Sequence, residues 1–160
     1  MSIFSLILIS IAEVTLASFL FSIIFFLIGL IFLKISIKQN FKIAKNLFTI
    51  IYFLNILLSN AIIGERLLKT GKPYYGSDDK TYEVKSLRLT EFSYVKNINR
   101  LEYRSGGYSH GSKYYTAFMG SFINGMKLIG LNYHYLIFCY FNAMLVALTG
   151  AVAFYFAKVT

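Results

Sequence analysis

Cysteine and proline each occur once in the 160 residues, histidine twice and tryptophan not at all. The lone thiol, Cys139, rules out a disulfide framework and a cysteine-built metal site. With only Pro73, long stretches lack the residue that most often breaks a helix. Charged residues make up 14% of the chain, against about 25% in soluble globular domains, while hydrophobic residues reach 57%. That imbalance excludes a water-soluble domain and predicts an integral membrane protein. Also missing are a glycine-rich phosphate loop, a nucleophile elbow, an HExxH pair and a cysteine cluster, so the usual soluble-enzyme chemistries have no foothold.

Acids are scarce as well, 7 against 16 Lys and Arg, for a formal charge of +9. Because the cations flank or interrupt apolar segments, attraction to anionic lipid headgroups accounts for them better than nucleic acid, which is excluded as a partner. Met1 to Ser5 carries no basic side chain, and the apolar run behind it far exceeds the ~7–15 residues of a signal-peptide core, so the segment reads as retained.

Crossing the hydrocarbon core as a helix takes ~20 apolar residues, with every backbone group paired internally. On that measure the chain is one all-α transmembrane domain, 1–160, with about four spans near 6–33, 47–63, 115–131 and 135–156. The first is interrupted only by Glu13, an acid placed near headgroup level. Asn55 and Asn60 in the second favour a neighbouring helix over lipid. The third is the most polar, carrying Asn124 and Lys127. In the fourth, Ala143, Ala147 and Ala151 recur every four residues and give a smooth face for close helix packing.

Lys34, Lys38, Lys42 and Lys45 follow the first span at spacings suited to one helical face, with no acid among them. The excess of basic residues on the inner side of membranes makes 34–46 a cytoplasmic loop. The N-terminus and the 64–114 loop then lie outside. Within that loop, Val84, Leu87, Phe92, Val95 and Ile98 interleave with Lys85, Arg88, Lys96, Arg100 and Arg104. This pattern predicts an amphipathic surface helix over 81–104, with a short strand around Leu87 and Leu89 as the alternative.

The most informative feature is the acidic pair Asp78 and Asp79 in this tyrosine-rich loop. Beside a membrane, such carboxylates can take the proton of an attacking hydroxyl or hold a divalent cation with hard oxygen ligands. Equally, Gly76-Ser77-Asp78-Asp79 reads as a turn capping the helix that follows. His110 suits a phosphate or a metal, or is simply a polar loop residue. Tyr74, Tyr75, Tyr114 and Tyr115 can stack on sugar rings or anchor the chain at the bilayer edge.

From Lys72 to Lys158 the order of features resembles the N-terminal region of the C-type membrane glycosyltransferases, which use polyprenyl-phosphate-linked sugars, and of related polysaccharide polymerases. The residues that carry the likeness are Gly76-Ser77-Asp78-Asp79-Lys80-Thr81-Tyr82 as the external acidic motif and Ser109-His110-Gly111-Ser112-Lys113-Tyr114-Tyr115 before the next span. A short span ending Lys127-Leu128-Ile129-Gly130-Leu131-Asn132 follows, and it leads into Phe141-Asn142-Ala143-Met144-Leu145. The chain departs from the pattern in lacking the prolines often found after the histidine and in carrying an extra span before the loop. It also has far fewer spans than such enzymes.

The resemblance implies a multi-pass cell-membrane protein of polysaccharide biosynthesis in the cell envelope, acting as a module or fragment with other membrane subunits. It implies Asp79, then Asp78, as the catalytic base, with His110, Tyr82 and Tyr114 toward a polyprenyl-phosphate-linked sugar. A divalent cation is compatible with the site, and membrane lipid is an expected partner. The rival expectation is a small non-enzymatic membrane protein that binds partner helices through its alanine face and anionic lipid through its basic loop.

Overall fold

The structure, a computed structural model, describes residues 16–37, 41–73, 77–89, 93–104, 110–131 and 133–159. Six helices occupy them: α1 (Leu16–Ser36), α2 (Phe41–Thr70), α3 (Ser77–Leu87), α4 (Tyr94–Arg104), α5 (His110–Leu128) and α6 (Leu136–Val159). No strand occurs among the described residues, so the protein is an all-α membrane protein and the strand alternative at Leu87 and Leu89 is not adopted. The helices form two compact units, Met1–Pro73 with His134–Thr160, and Tyr74–Tyr133.

The first unit packs α1, α2 and α6. Among the described residues these are the three helices long and apolar enough to cross a membrane. A helix rises about 1.5 Å per residue, and α2 with 30 residues exceeds the length of the hydrocarbon core. Its close is set by local chemistry. Gly71 takes φ 65° and its N–H donates to the Leu67 carbonyl at 2.9 Å, a left-handed cap that glycine adopts without a Cβ penalty. Pro73 follows directly.

Aromatic rings fill the space between α1 and α2. The Phe26 ring lies 5.7 Å from Phe48, 5.5 Å from Tyr52 and 5.5 Å from Phe53. Gly29 lets α1 approach because its missing side chain would run into the Phe48 ring and into Met144 of α6. Polar groups buried here are paired, as they must be without water. Tyr52 Oη donates to the Ser22 carbonyl at 2.6 Å. Asn60 Nδ2 donates to the Ile56 carbonyl at 2.8 Å and to Tyr140 Oη at 3.2 Å.

Outward, α1 and α2 present apolar side chains such as Phe19, Leu27, Ile31, Leu54 and Leu58, all more than half exposed. This inside-out surface suits lipid rather than water. Ala143, Ala147 and Ala151 are buried within the unit, where α6 packs on α1 and α2. Lys34 ends α1 while Lys42 and Lys45 belong to α2, so the expected lysine row is split between two helices; Lys38 lies outside the described residues.

The second unit holds α3, α4 and α5, with α5 packed on both others. The expected surface helix over 81–104 is two helices. α3 winds down through Arg88 N–H to Lys85 O at 3.3 Å and Leu89 N–H to Ser86 O at 3.1 Å. Leu89 then turns inward against Leu101 and Ala117. Ser93 caps the next helix, its Oγ accepting from Lys96 N–H at 3.5 Å. The apolar period is broken accordingly, with Leu87 and Val95 exposed and Phe92 outside the described residues.

The third expected span, 115–131, lies mainly on α5, which is not among the three helices that meet the length and hydropathy of a span. Its small residues serve packing in the second unit instead: a Cβ on Gly120 would sit 2.6 Å from Leu89 Cδ1. Asn124 spends its amide on the Leu89 carbonyl at 2.7 Å and the Gly120 carbonyl at 2.8 Å. The helix closes with Leu131 N–H to Met126 O at 2.9 Å and Gly130 N–H to Lys127 O at 3.1 Å, with Gly130 at φ 74°. This is the Schellman pattern of a helix C-terminus.

Candidate functional site

Register decides what the second unit brings together. Going up α3, Tyr82 meets Tyr115 edge to face at 5.9 Å, Ser86 Oγ donates to the Thr116 carbonyl at 3.2 Å, and Leu89 reaches Gly120 and Asn124. Residue numbers rise together, so α3 and α5 run parallel. Helix α4 runs the other way, with Asn97 Nδ2 donating to Ser121 Oγ at 2.9 Å while Leu101, one turn on, packs against Ala117.

One turn back along the same register, the start of α3 comes level with the start of α5. Asp78 and Asp79 fall in the first turn of α3, and His110 is the first residue of α5. The last turn of α4, with Arg100 and Arg104, arrives at the same end of the unit. The side chains of Asp78, Asp79 and His110 lie outside the described residues.

Two of the expected sugar-facing residues are described in full. Tyr82 is half-buried and spends its ring on Tyr115, so at least one face of it serves the contact between α3 and α5. Tyr114 is exposed and available. Beside it, Lys113 is buried to 7% exposure, with its Nζ 4.9 Å from the Tyr114 ring centroid. A cation over an aromatic face is held by the ring quadrupole.

No family model, curated protein or solved structure matches this chain.

Two charged residues of this unit, assigned no role from the sequence, are buried. Lys113 is one. The other is Glu83, 5% exposed, whose Oε2 has no hydrogen-bond partner. Glu83 stands four residues after Asp79 and three before the fully buried Ser86, so it belongs to one face of α3 with both. That spacing was the available signal. It was hidden because Glu83 also fits the charged stripe of an amphipathic surface helix.

Chemically, the two helix starts differ. Partial positive charge from free N–H groups gathers at a helix N-terminus, which favours the acids in the first turn of α3. The first turn of α5 bears His110 and Lys113 instead, a combination that favours an anion such as phosphate. One end of the unit therefore carries two acidic residues at the start of α3 and His110 at the start of α5.

Proposed function

We propose that the chain is a multi-pass protein of the cell envelope that acts on lipid-linked sugars, a glycosyltransferase-like or polysaccharide-assembly module working with further membrane segments. The observation that carries this reading is the parallel pairing of α3 and α5, which brings Asp78 and Asp79 level with His110. In the reaction, Asp79 accepts the proton of an acceptor hydroxyl as its oxygen bonds to the sugar's anomeric carbon. The bond from that carbon to phosphate oxygen breaks, and its electron pair leaves with the polyprenyl phosphate. His110 meets the departing phosphate, Tyr82 and Tyr114 the sugar, and Asp78 stands beside Asp79 in the first turn of α3.

Replacing both acids, Asp78→Asn with Asp79→Asn, tests it in cells. Surface polysaccharide should fall at least tenfold while the amount of protein in the membrane stays the same. Unchanged polymer at normal expression would overturn it. The rival, a non-enzymatic helix-binding protein, loses support because Ala143, Ala147 and Ala151 are already used inside their own unit.

With α1, α2 and α6 as the crossings, the 74–133 segment lies wholly on the outer face and the α1–α2 connection on the cytoplasmic face. Three of the described helices meet the length and hydropathy of a crossing, and α5 is not one of them.

A further inference from the structure

The end of the second unit away from Asp78 and His110 has a different character. There the end of α3, the start of α4 and the end of α5 come together, as the Asn124 bond to Leu89 and the Asn97 bond to Ser121 require. Large apolar side chains stand exposed on it: Leu87 at 42%, Tyr94 at 41%, Val95 at 64%, Leu128 at 74% and Ile129 at 69%. Arg88, Lys96 and Lys127 are exposed among them. Between α4 and α5 lies a groove of about 350 Å³ lined by Ser93, Tyr94, Phe118, Ser121 and Phe122.

Leucine, isoleucine and valine exposed beside lysine and arginine are what the headgroup boundary of a bilayer accepts. Apolar tips enter the acyl region, and cations stay with anionic headgroups. A water-facing surface has no use for five such side chains at one end. We infer that this end docks on an anionic phospholipid surface, with part of one acyl chain taken into the α4–α5 groove. The groove lies within the range of small-ligand sites, about 300–1,000 Å³, and its aromatic lining suits hydrocarbon. Asp78, Asp79 and a sugar substrate have no role in this docking.

The test uses the full chain in nanodiscs, with Cys139→Ser to remove the native thiol. Nitroxide labels are placed at Val95→Cys and Ile129→Cys on the docking end and at Tyr114→Cys on the other. Collisions with oxygen and with a water-soluble nickel chelate are measured in phosphatidylcholine alone and with one-third phosphatidylglycerol. Labels 95 and 129 should favour oxygen in the anionic bilayer, and label 114 the nickel chelate. Arg88→Gln with Lys127→Gln, both on the surface, should return the first two labels toward water by roughly fivefold per charge removed. If labels 95 and 129 meet the nickel chelate as readily as label 114, the docking is overturned. Shielding from both probes would overturn it too, because a second copy or another protein would then cover this end. For the groove, a phosphatidylglycerol with a photoreactive acyl chain should mark residues 118–122, and Ser121→Leu should cut that labelling about fivefold. Equal labelling in the variant would remove the acyl-chain assignment even if the depth measurements hold.

Discussion

Glu83 carries a cost in the second unit, since a buried polar atom without a hydrogen bond forfeits its hydration for nothing in return. Replacing it with an apolar group of similar length, Glu83→Met, should stabilise the full chain in detergent by about 1–3 kcal/mol. In a protein of this size that raises the thermal midpoint by roughly 2–4 °C per kcal/mol, read by a thermal melt. If Glu83 is kept for the chemistry at the Asp79 end, the same variant should lose polysaccharide output as it gains stability. That opposition is the usual mark of a functional residue. A fall in both would make Glu83 an ordinary structural residue with a bonding role. The polar groups of the membrane helices behave otherwise. Asn60 and Tyr140 spend their bonds on each other and on backbone, as hydrocarbon surroundings demand.

The glycines in and just beyond α5 separate two kinds of cost at the level of the helix. Gly120 faces Leu89 so closely that a Cβ would meet Leu89 Cβ at 2.9 Å as well as the side-chain tip. Gly120→Ala should therefore destabilise by about 1–3 kcal/mol through overpacking. Gly130 has open space around it and a φ of 74°. Gly130→Ala should cost about 1 kcal/mol, from backbone conformation alone. Denaturant titration of the two variants distinguishes them, since only the first should loosen α3 from α5. The helices themselves were legible in the sequence because long apolar runs admit little else. The separation of α3 from α4 was not, since the apolar period of Val84, Leu87, Phe92, Val95 and Ile98 runs through both. Its causes are the notch at Gly120 that draws Leu89 inward and the cap at Ser93, and the notch is invisible until α5 is in place. Within Tyr115 to Leu131, expected as the most polar span, Thr116, Ala117, Gly120, Ser121 and Asn124 serve neighbours in their own unit. The acidic pair and His110 were legible as residues. That they share one end followed only from the parallel register.

For the molecule as a whole, the number of crossings fixes which side each segment faces. Three crossings put the end of α6 on the same side as Lys42 and Lys45, whereas four would put it opposite. A fluorescent reporter fused after Thr160 should therefore light up in the cytoplasm, and a periplasm-dependent phosphatase fused there should stay inactive. The reverse pattern would restore α5 as a crossing. Lys158, close behind the last apolar turns, agrees with the cytoplasmic assignment. Labelling of a cysteine at 79 from the outside only would complete the topology, and access from the cytosol alone would end the proposed chemistry.

The packing of the second unit also sets which helix opens first. α3 and α5 can touch only after the chain has travelled back along α4, and Ser86 and Thr116 stand 30 residues apart. The α4–α5 pair closes a loop of similar size, with Asn97 and Ser121 separated by 24 residues. α3 packs on α5, whereas α5 packs on both α3 and α4, so α3 opens at less cost than α5. Amide hydrogens of residues 81–87 should exchange before those of 116–124, by at least tenfold. The first turn of α3, which carries residues 78 and 79, then opens with it and ahead of α5.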